Sequence, residues 1–254
     1  MIDREAELDS TVEVGPGAVV GANVKIGAET RIGAHAVIEG ITTIGARNHI
    51  FQFAAIGAKP QDLKYRGEPS RVEIGDDNQI REFVTIHRGT EGGKMLTRIG
   101  NDVLLMNYVH VAHDCIIEDH CILANSTSLA GHIVFEEWVR AMGICGVHQY
   151  CRIGTHALLA AGSKVAQDVP PYAAVAGDRA RLIAVHEELL KRRQFPAETI
   201  AALKRAFRTL FYSKLLRQDA IKQVVEQDGD VPEIRRLIEF MNNSTRGVVG
   251  RKRE

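Results

Sequence analysis

The sequence predicts an all-β parallel β-helix followed by a small α-helical domain. Three observations carry this prediction. Aliphatic residues recur every six positions, a column of small residues lies four positions after them, and beyond Val169-Pro170-Pro171 the apolar residues take helical spacing instead. A large aliphatic residue and a small residue, both repeated every six positions, are typical of hexapeptide repeats.

The two columns run through most of the first 165 residues. The aliphatic column comprises Leu8, Val14, Val20, Ile26, Ile32, Ile38, Ile44, Ile50 and Ile56, then Ile74, Ile80 and Ile86, then Ile99, Leu105, Val111, Ile117, Leu123, Leu129, Phe135, Ala141, Val147, Ile153, Leu159 and Val165. The small column includes Ala18, Thr30, Ala36, Thr42, Ala54, Cys115, Cys121, Thr127, Cys145, Cys151, Ala157 and Ser163. We expect the large side chains to fill the interior and the small ones to fit beside the corners.

Three hexapeptides form one triangular coil of about 18 residues, and each coil stacks on the next at about 4.8 Å. Such coils resemble known left-handed β-helices, which are an exception to the usual right-handed crossover. We therefore expect a left-handed parallel β-helix over residues 1–177, with loop insertions near 59–70 and 89–97 where the repeat is interrupted. Loops on a rigid solenoid usually carry binding groups.

A C-terminal helical domain is expected over residues 178–254. Apolar spacing predicts four helices there, and Pro232 falls in the first turn of the last one. The apolar sets are Leu182, Val185, Leu189 and Leu190; Ile200, Leu203, Phe207, Leu210 and Phe211; Ile221, Val224 and Val225; and Ile234, Leu237, Ile238 and Met241.

The charge of the chain is balanced overall but unevenly distributed. The formal net charge is zero, which predicts no bulk attraction to nucleic acid or membrane. Residues 1–179 hold 16 Lys and Arg against 22 Asp and Glu, whereas residues 180–254 hold 16 against 10. A basic C-terminal region on an acidic body indicates an acidic partner.

Neither a signal peptide nor a membrane span is expected. Residues 1–5 lack an apolar segment, and the chain has no run of about 18 apolar residues. We therefore expect a cytoplasmic protein whose four cysteines are reduced. All four lie in the small column, so we interpret them as structural, with zinc ligation as the alternative.

A polar cluster is predicted along one edge of the solenoid. Seven of the ten histidines lie between residues 87 and 156. Because a coil takes about 18 residues, Gly131 lies one coil above His113, and His132 lies one coil above Asp114. The residues gathered in this way are His110, His113, Asp114, Gly131, His132, His148 and Gln149.

Two chemistries fit this cluster. A histidine base can take a proton from a hydroxyl group that attacks an acyl carbonyl, and an adjacent carboxylate such as Asp114 can orient it. Alternatively, His110, His113 and His132 could hold zinc with one open position, as in hexapeptide proteins that resemble carbonic anhydrases, and Asp114 would then support a metal ligand. The residues favour the base without deciding the question.

Eight segments add a family resemblance. They are Gln61–Tyr65, Val84–Gly89, His110–Cys115, Ala130–His132, Val147–Gln149, Val165–Tyr172, Lys191–Arg193 and Ser244–Gly247. Together, in this order and over essentially the whole chain, they resemble the UDP-N-acetylglucosamine acyltransferase family of lipid A biosynthesis. The resemblance implies transfer of an (R)-3-hydroxyacyl group from acyl carrier protein to the 3-position of UDP-N-acetylglucosamine by a homotrimer.

The resemblance also implies roles for individual residues. His113 matches the general base, Asp114 its orienting partner, and the Gly131 N–H the oxyanion donor, while Ala161 matches the position that measures acyl-chain length. The positions that match substrate contacts are Asp62, Lys64, His110, His132, Gly143, His148, Gln149, Glu188, Arg192 and Arg193. No metal is implied, and no dissociable cofactor beyond the phosphopantetheine of the carrier.

Three departures from the family pattern stand out. His186 replaces the usual Asn at a nucleotide contact, Tyr150 replaces Phe after His148-Gln149, and residues 137–142 are unlike the usual apolar stretch. The alternatives are the N-acyltransferase of the same pathway, a metal-dependent hexapeptide enzyme, and a non-enzymatic carrier-binding solenoid. The N-acyltransferases carry an extra N-terminal domain, whereas here repeats begin near residue 8, and the charged cluster argues against a purely structural role.

Overall fold

The computed structural model describes residues 1–250 and shows a left-handed parallel β-helix of triangular cross-section, which confirms the predicted fold class. Three parallel sheets form its faces. The first face contains Glu7–Leu8, Val24–Ile26, Ile41–Ile44, Arg71–Ile74, Leu96–Ile99, Ile116–Ile117, Val134–Phe135 and Arg152–Ile153. The second contains Glu13–Val14, Arg31–Ile32, His49–Ile50, Gln79–Ile80, Leu104–Leu105, Ile122–Leu123, Arg140–Ala141, Leu158–Leu159, Ala173–Ala176 and Arg181–Val185. The third contains Val19–Val20, Val37–Ile38, Ala55–Ala58, Thr85–His87, His110–Val111, Ser128–Leu129, Gly146–Val147 and Lys164–Val165.

The register of the strands follows the 18-residue period. On the third face His110 pairs with Ser128, which pairs with Gly146, which pairs with Lys164. Across each insertion, the sequence separation between paired residues exceeds 18, so that Ile44 pairs with Ile74 and Arg71 pairs with Leu96. The extra residues leave the solenoid as loops, so the repeat continues in the same register above them.

The interior is filled by the two predicted columns. The aliphatic side chains from Val20 to Val165 are almost completely buried, and the small column beside them is buried as well. Phe135 on the first face and Ala141 on the second are both buried in one coil, so a large side chain offsets a small neighbour.

The four cysteines are free, buried thiols. Cys115 donates a hydrogen bond to the carbonyl of Ala130 at 3.1 Å, and Cys121 donates to the carbonyl of Glu136 at the same distance. Burial raises the pKa of Cys151 to about 11 and that of Cys115 to about 12, so these thiols are protonated at neutral pH. They are structural side chains rather than metal ligands.

Each corner of the triangle ends in a residue with left-handed backbone conformation. The φ angles of Asp114, His132 and Trp138 are 60°, 62° and 65°, a conformation that disfavours side chains other than Gly, Asn and Asp. Side chains at one corner therefore stack from coil to coil. We name the corners by their stacked residues: the histidine corner (turns 112–114, 130–132 and 148–150), the tryptophan corner (turns 118–120, 136–138 and 154–156) and the phenylalanine corner (turns 51–53, 81–83 and 106–108).

One predicted helical segment is a strand. Arg181–Val185 pairs antiparallel with Ala173–Ala176 and covers the last coil, so the prediction that Leu182 and Val185 belong to the first helix is wrong. A spacing of three normally points two strand residues to opposite faces. Here the register shifts between Ala174 and Val175, and this bulge turns both Leu182 and Val185 inward.

The remaining helical predictions agree with the structure in number and order. The helices are α1 (Glu187–Arg192), α2 (Ala197–Phe207) with a π-helical continuation (Arg208–Tyr212), α3 (Arg217–Asp228) and α4 (Pro232–Asn242). Pro232 begins α4, where its missing N–H leaves no helical bond unmade. Within residues 1–250, none of the helices combines the length and apolar character that a bilayer crossing requires.

Candidate active site

The histidine corner holds a histidine–carboxylate pair. His113 Nδ1 lies 2.9 Å from Asp114 Oδ2, and Asp114 is 1% exposed. Burial alone would raise the pKa of Asp114, but hydrogen bonds from His113 and Thr90 outweigh it, so this pKa lies below the ordinary value. An ionised carboxylate only accepts hydrogen bonds, so His113 carries its proton on Nδ1 and leaves Nε2 as a base.

Asp114 also anchors the second insertion. Its carboxylate accepts hydrogen bonds from the Thr90 N–H at 3.1 Å, the Thr90 hydroxyl at 2.6 Å and the Lys94 N–H at 3.0 Å. A Cβ on Gly93 would lie 2.2 Å from Asp114 Cγ, so the loop approaches this closely only because glycine is present. Nothing in the repeat pattern predicted this contact, although Thr90 lies in the insertion that interrupts the repeat.

Gly131 lies directly above His113. A Cβ on Gly131 would come within 2.5 Å of His113 Cε1, so any side chain here would displace the imidazole. The Gly131 carbonyl accepts a hydrogen bond from the Tyr150 N–H, and within residues 1–250 the Gly131 N–H has no acceptor. This N–H is therefore available to an oxyanion beside His113.

Three more histidines surround the pair. His132 packs edge-on against His113 at 5.0 Å, and its other side stacks on Tyr150 at 4.4 Å. His110 hydrogen-bonds Thr85 through Nδ1 at 2.7 Å and packs edge-on against His87. Burial lowers the pKa of His132 and His110, and it lowers that of His87 to about 4, so these rings are neutral at pH 7. His87 was not among the predicted site residues, although its segment carries part of the family resemblance.

A groove of about 580 Å³ runs from this pair along the third face. His110, His113 and Gly131 line one end, and Lys164 and Arg179 line the other. The wall between them is largely apolar, and it is formed by Leu129, Ala130, Val147, Val165 and Ala166. An apolar groove that begins at a basic imidazole suits an acyl chain whose carbonyl lies at His113.

The other predicted contacts near this groove are more exposed. His148 lines the groove, and Gln149 lies exposed in the turn above Gly131. Asp62 and Lys64 lie on the first insertion, where Asp62 accepts a hydrogen bond from the Lys64 N–H at 2.9 Å. Gln61, which precedes Asp62, lines the groove with His113 and Gly131, so the first insertion reaches the histidine corner.

Gly143 and Ala161 lie in a different place. Both occupy turns that continue the phenylalanine corner, and the Gly162 N–H donates a hydrogen bond to the Gly143 carbonyl at 2.9 Å. Ala161 is exposed in a single chain, and neither residue lines the groove.

The predicted nucleotide contacts lie at the opposite edge of the first face. Glu188 and Arg192 form an ion pair on α1, and the Arg193 guanidinium lies 3.3 Å from the centre of the Trp138 ring. His186 precedes α1, and its Nδ1 is buried without a partner. One chain therefore does not bring these residues to His113, because they belong to the tryptophan corner rather than the histidine corner.

The His113–Asp114 pair and His132 also bring potential metal ligands together. Among residues 1–250, ligand atoms of His113, Asp114 and His132 lie within 4.8 Å of one another. The carboxylate oxygens already accept hydrogen bonds from Thr90, Lys94 and His113, and His110 uses its Nδ1 on Thr85. The donor set is thus committed to protein hydrogen bonds, which favours a base over a metal ligand cluster.

Known proteins share both the sequence and the fold. Residues 6–40 and 96–131 match the profile described as bacterial transferase hexapeptide, and residues 168–249 match the one described as UDP N-acetylglucosamine O-acyltransferase, domain 2. An acyl-[acyl-carrier-protein]–UDP-N-acetylglucosamine O-acyltransferase of Herminiimonas arsenicoxydans is 47% identical, over 98% of this chain and 97% of its own length. The chain belongs to the UDP-N-acetylglucosamine O-acyltransferase family.

Two further relatives agree with this assignment. The enzyme of the same name from Janthinobacterium sp. (strain Marseille) is 49% identical over 98% of this chain and 97% of its own length. The solved structure of LpxA from Acinetobacter baumannii superimposes with a TM-score of 0.95 at 40% identity, covering 98% of this chain and 97% of the other. The likeness to the acyltransferase family thus extends over both the solenoid and the helical domain.

Proposed function

We propose that this protein transfers an (R)-3-hydroxyacyl group from acyl carrier protein to the 3-hydroxyl of UDP-N-acetylglucosamine in lipid A biosynthesis. The names of the full-length relatives support the two substrates. The observation that carries the chemistry is the His113–Asp114 pair, which lies under an available Gly131 N–H at the end of an apolar groove.

In the proposed reaction, His113 Nε2 accepts the proton of the sugar hydroxyl as its oxygen attacks the thioester carbonyl carbon. The Gly131 N–H donates to the resulting oxyanion, and Asp114 stabilises the imidazolium. The C–S bond then breaks, and His113 returns the proton to the leaving thiolate. The products are the sugar ester and the free thiol of the carrier, so the proton balance requires neither a metal nor a further cofactor.

The proposal includes a homotrimer in the cytoplasm. His113 and Arg193 lie at different corners of the prism, so a nucleotide sugar can touch both only if the second corner comes from a neighbouring copy. Three copies arranged around an axis would place the histidine corner of each beside the tryptophan corner of the next.

An acyl-transfer assay with UDP-N-acetylglucosamine and hydroxyacyl carrier proteins tests this function. His113→Ala should lower turnover by about 10²–10⁴-fold with the oligomer intact, and the exposed His35→Ala should not. The wild type should keep its activity after exhaustive chelation. Full turnover by a folded His113→Ala variant would contradict the base, and activity lost on metal removal and restored by zinc would favour the metal-dependent alternative.

A further inference from the structure

An arginine of the tryptophan corner is held by an aromatic ring. The Arg193 guanidinium lies 3.3 Å from the Trp138 ring centre, while His120 stacks on Trp138 at 3.8 Å. Because His120 occupies one face of the indole, the guanidinium lies on the other face, towards His156. The His156 ring is parallel to Trp138 within 4° at 6.1 Å. Burial lowers the pKa of His156, and the positive charge of Arg193 lowers it further.

Phe195 fixes the backbone that carries Arg193. Its ring packs edge-on against His156 at 5.1 Å and against the buried Tyr172 at 6.2 Å. The chain leaves α1 at Arg193, whose N–H donates to the Leu189 carbonyl at 2.9 Å. The guanidinium is therefore constrained both from its own backbone and from the ring beneath it.

A second arginine, Arg140, lies nearby. Arg140 begins the strand Arg140–Ala141 just after the turn that ends at Trp138, so it lies close to the ring that carries the Arg193 guanidinium. Burial and then the positive charge of Arg140 lower the pKa of Arg193, while the more distant Asp102 carboxylate, which is hydrogen-bonded to His120, raises it. Within residues 1–250, no carboxylate lies at ion-pair distance from Arg140 or Arg193, whereas Arg192, the last residue of α1, pairs with Glu188. Two neighbouring cations with no carboxylate in direct contact are stabilised by an anion that contacts both.

Two histidines near the arginines have ring nitrogens without hydrogen-bond partners. Nδ1 of His156 and Nδ1 of His186 are both buried without a partner, and Arg140 contributes to lowering the pKa of His186, after burial. A carboxylate beside Arg193 would compete with an incoming anion. An aromatic ring orients the guanidinium by stacking and leaves its full charge and its N–H donors for the ligand.

We infer that Arg140 and Arg193 together bind the diphosphate of the nucleotide sugar, with Trp138 acting as a positioning residue for Arg193. The inference rests on the proposed function and assigns a binding role to Arg140 and a supporting role to Trp138. Both lie in residues 137–142, which depart from the family pattern, so the resemblance assigns neither role.

Equilibrium binding of UDP and of uridine separates the phosphate contacts from the base contacts. Arg140→Gln should lower the affinity for UDP by about tenfold or more and leave the affinity for uridine unchanged, because the lost charge-assisted hydrogen bond goes only to the phosphates. Arg140→Lys should recover part of the affinity. Arg81→Gln is the matched control, since Arg81 also lies over a ring, that of Phe51 at 4.2 Å, but hydrogen-bonds Glu82.

The role of Trp138 is tested by comparing Trp138→Leu with Trp138→Phe. Trp138→Leu should raise KM for UDP-N-acetylglucosamine several-fold and leave KM for the acyl carrier unchanged. Trp138→Phe keeps an aromatic ring, so its KM for UDP-N-acetylglucosamine should be close to that of the wild type. Trp138 is the single tryptophan of the chain, so its fluorescence should respond to UDP in the wild type and less so in Arg193→Gln.

Equal affinity for UDP in folded Arg140→Gln and in wild type would overturn the diphosphate site. A loss of affinity for uridine as large as the loss for UDP would overturn it as well. A KM for UDP-N-acetylglucosamine that is the same in Trp138→Leu as in wild type would overturn the positioning role. Acyl transfer by the wild type is measured separately. If transfer occurs while Arg140→Gln binds UDP normally, this inference fails and the proposed function stands; if the wild type binds UDP without transferring acyl groups, the proposed function fails.

Discussion

Asp114 shows how one side chain links the site to the fold. Its carboxylate orients His113 and at the same time accepts the hydrogen bonds that hold Thr90 and Lys94 of the second insertion. The residue pair is adjacent in sequence, and the left-handed φ of Asp114 gives the turn that lets the carboxylate face the preceding imidazole. Substitution at this position should therefore affect both chemistry and stability.

Asp114→Asn should lower kcat by up to about 10⁴-fold, because the amide no longer fixes the tautomer of His113. It should also reduce the free energy of unfolding at neutral pH by roughly 1–3 kcal/mol, because the loop donors lose an acceptor. The pKa of Asp114 is lowered in the fold, so this stability is complete above about pH 4 and is lost as pH falls through the folded pKa.

Steady-state kinetics and urea unfolding measure these two effects. Asp77→Asn is the control, because Asp77 is an exposed carboxylate that pairs with Arg47 at 2.7 Å, away from the groove and from the tryptophan corner. The assigned role of Asp114 would be wrong if the two variants lost activity equally.

Ala161 remains the predicted determinant of acyl-chain length. A closed apolar groove discriminates one methylene by roughly 1–3 kcal/mol, or about 10–200-fold. We expect the wild type to prefer shorter hydroxyacyl chains than enzymes with Gly at this position. Ala161→Gly should shift the preference to longer chains, and Ala161→Met to shorter ones, in a competition between carriers of several lengths.

Ala161 is exposed in one chain, so a closed end for the groove at this position needs a neighbouring copy. Identical length profiles for the wild type and both variants would show that the groove ends elsewhere, for example at Arg179, which lines its far end. Gly162→Ala is an unsuitable control, because Gly162 has a φ of +73° that a side chain would strain.

At the scale of elements, we expect α2 and its π-helical continuation to contact the acidic carrier protein. By charge alone, Lys204, Arg205 and Arg208 would contribute equally to this contact. The structure distinguishes them: Lys204 pairs with Glu187 at 2.8 Å and Arg205 pairs with Asp228 at 2.6 Å, whereas among residues 1–250 Arg208 has no such partner.

Arg208→Glu should therefore raise KM for the acyl carrier more than charge reversal at either neighbour, and it should flatten the dependence of KM on salt. Arg208 also borders an apolar pocket with Val185, Phe207 and Tyr212, which suits a helix with mixed acidic and apolar side chains. Kinetics at several salt concentrations measure the effect, with Arg235→Glu as a control on α4. Equal KM values for both variants would place the carrier elsewhere.

At the scale of the whole molecule, buried histidines connect stability to pH. Burial lowers the pKa of His87 and His156 to about 4, and it lowers those of His110, His132 and His186. The unfolded chain binds more protons than the fold between that value and the ordinary pKa of about 6.5. Stability should therefore be complete above pH 6.5 and fall as pH decreases towards 4.

His87→Gln should reduce this pH dependence by roughly 1–2 kcal/mol once solvent screening is allowed for. Urea unfolding at a fixed protein concentration between pH 7 and pH 4.5 measures it, because the stability of an oligomer depends on concentration. The exposed His35→Gln variant serves as a control. Identical slopes for wild type and His87→Gln would contradict the buried neutral state of His87.

The sequence by itself determined the solenoid, because each hexapeptide repeats one local solution and an 18-residue period fixes which residues stack. His113, Gly131 and Asp114 could be placed together for this reason, and the faces of α2 and α4 followed from helical spacing. Only the tertiary structure decided that Arg181–Val185 is a strand, since a bulge reverses the usual meaning of its spacing. The tertiary structure also decided which charged side chains form ion pairs, that Asp114 anchors the second insertion, and that Trp138 holds Arg193. These contacts join residues whose sequence separation is not a multiple of the repeat, so the sequence pattern does not predict them.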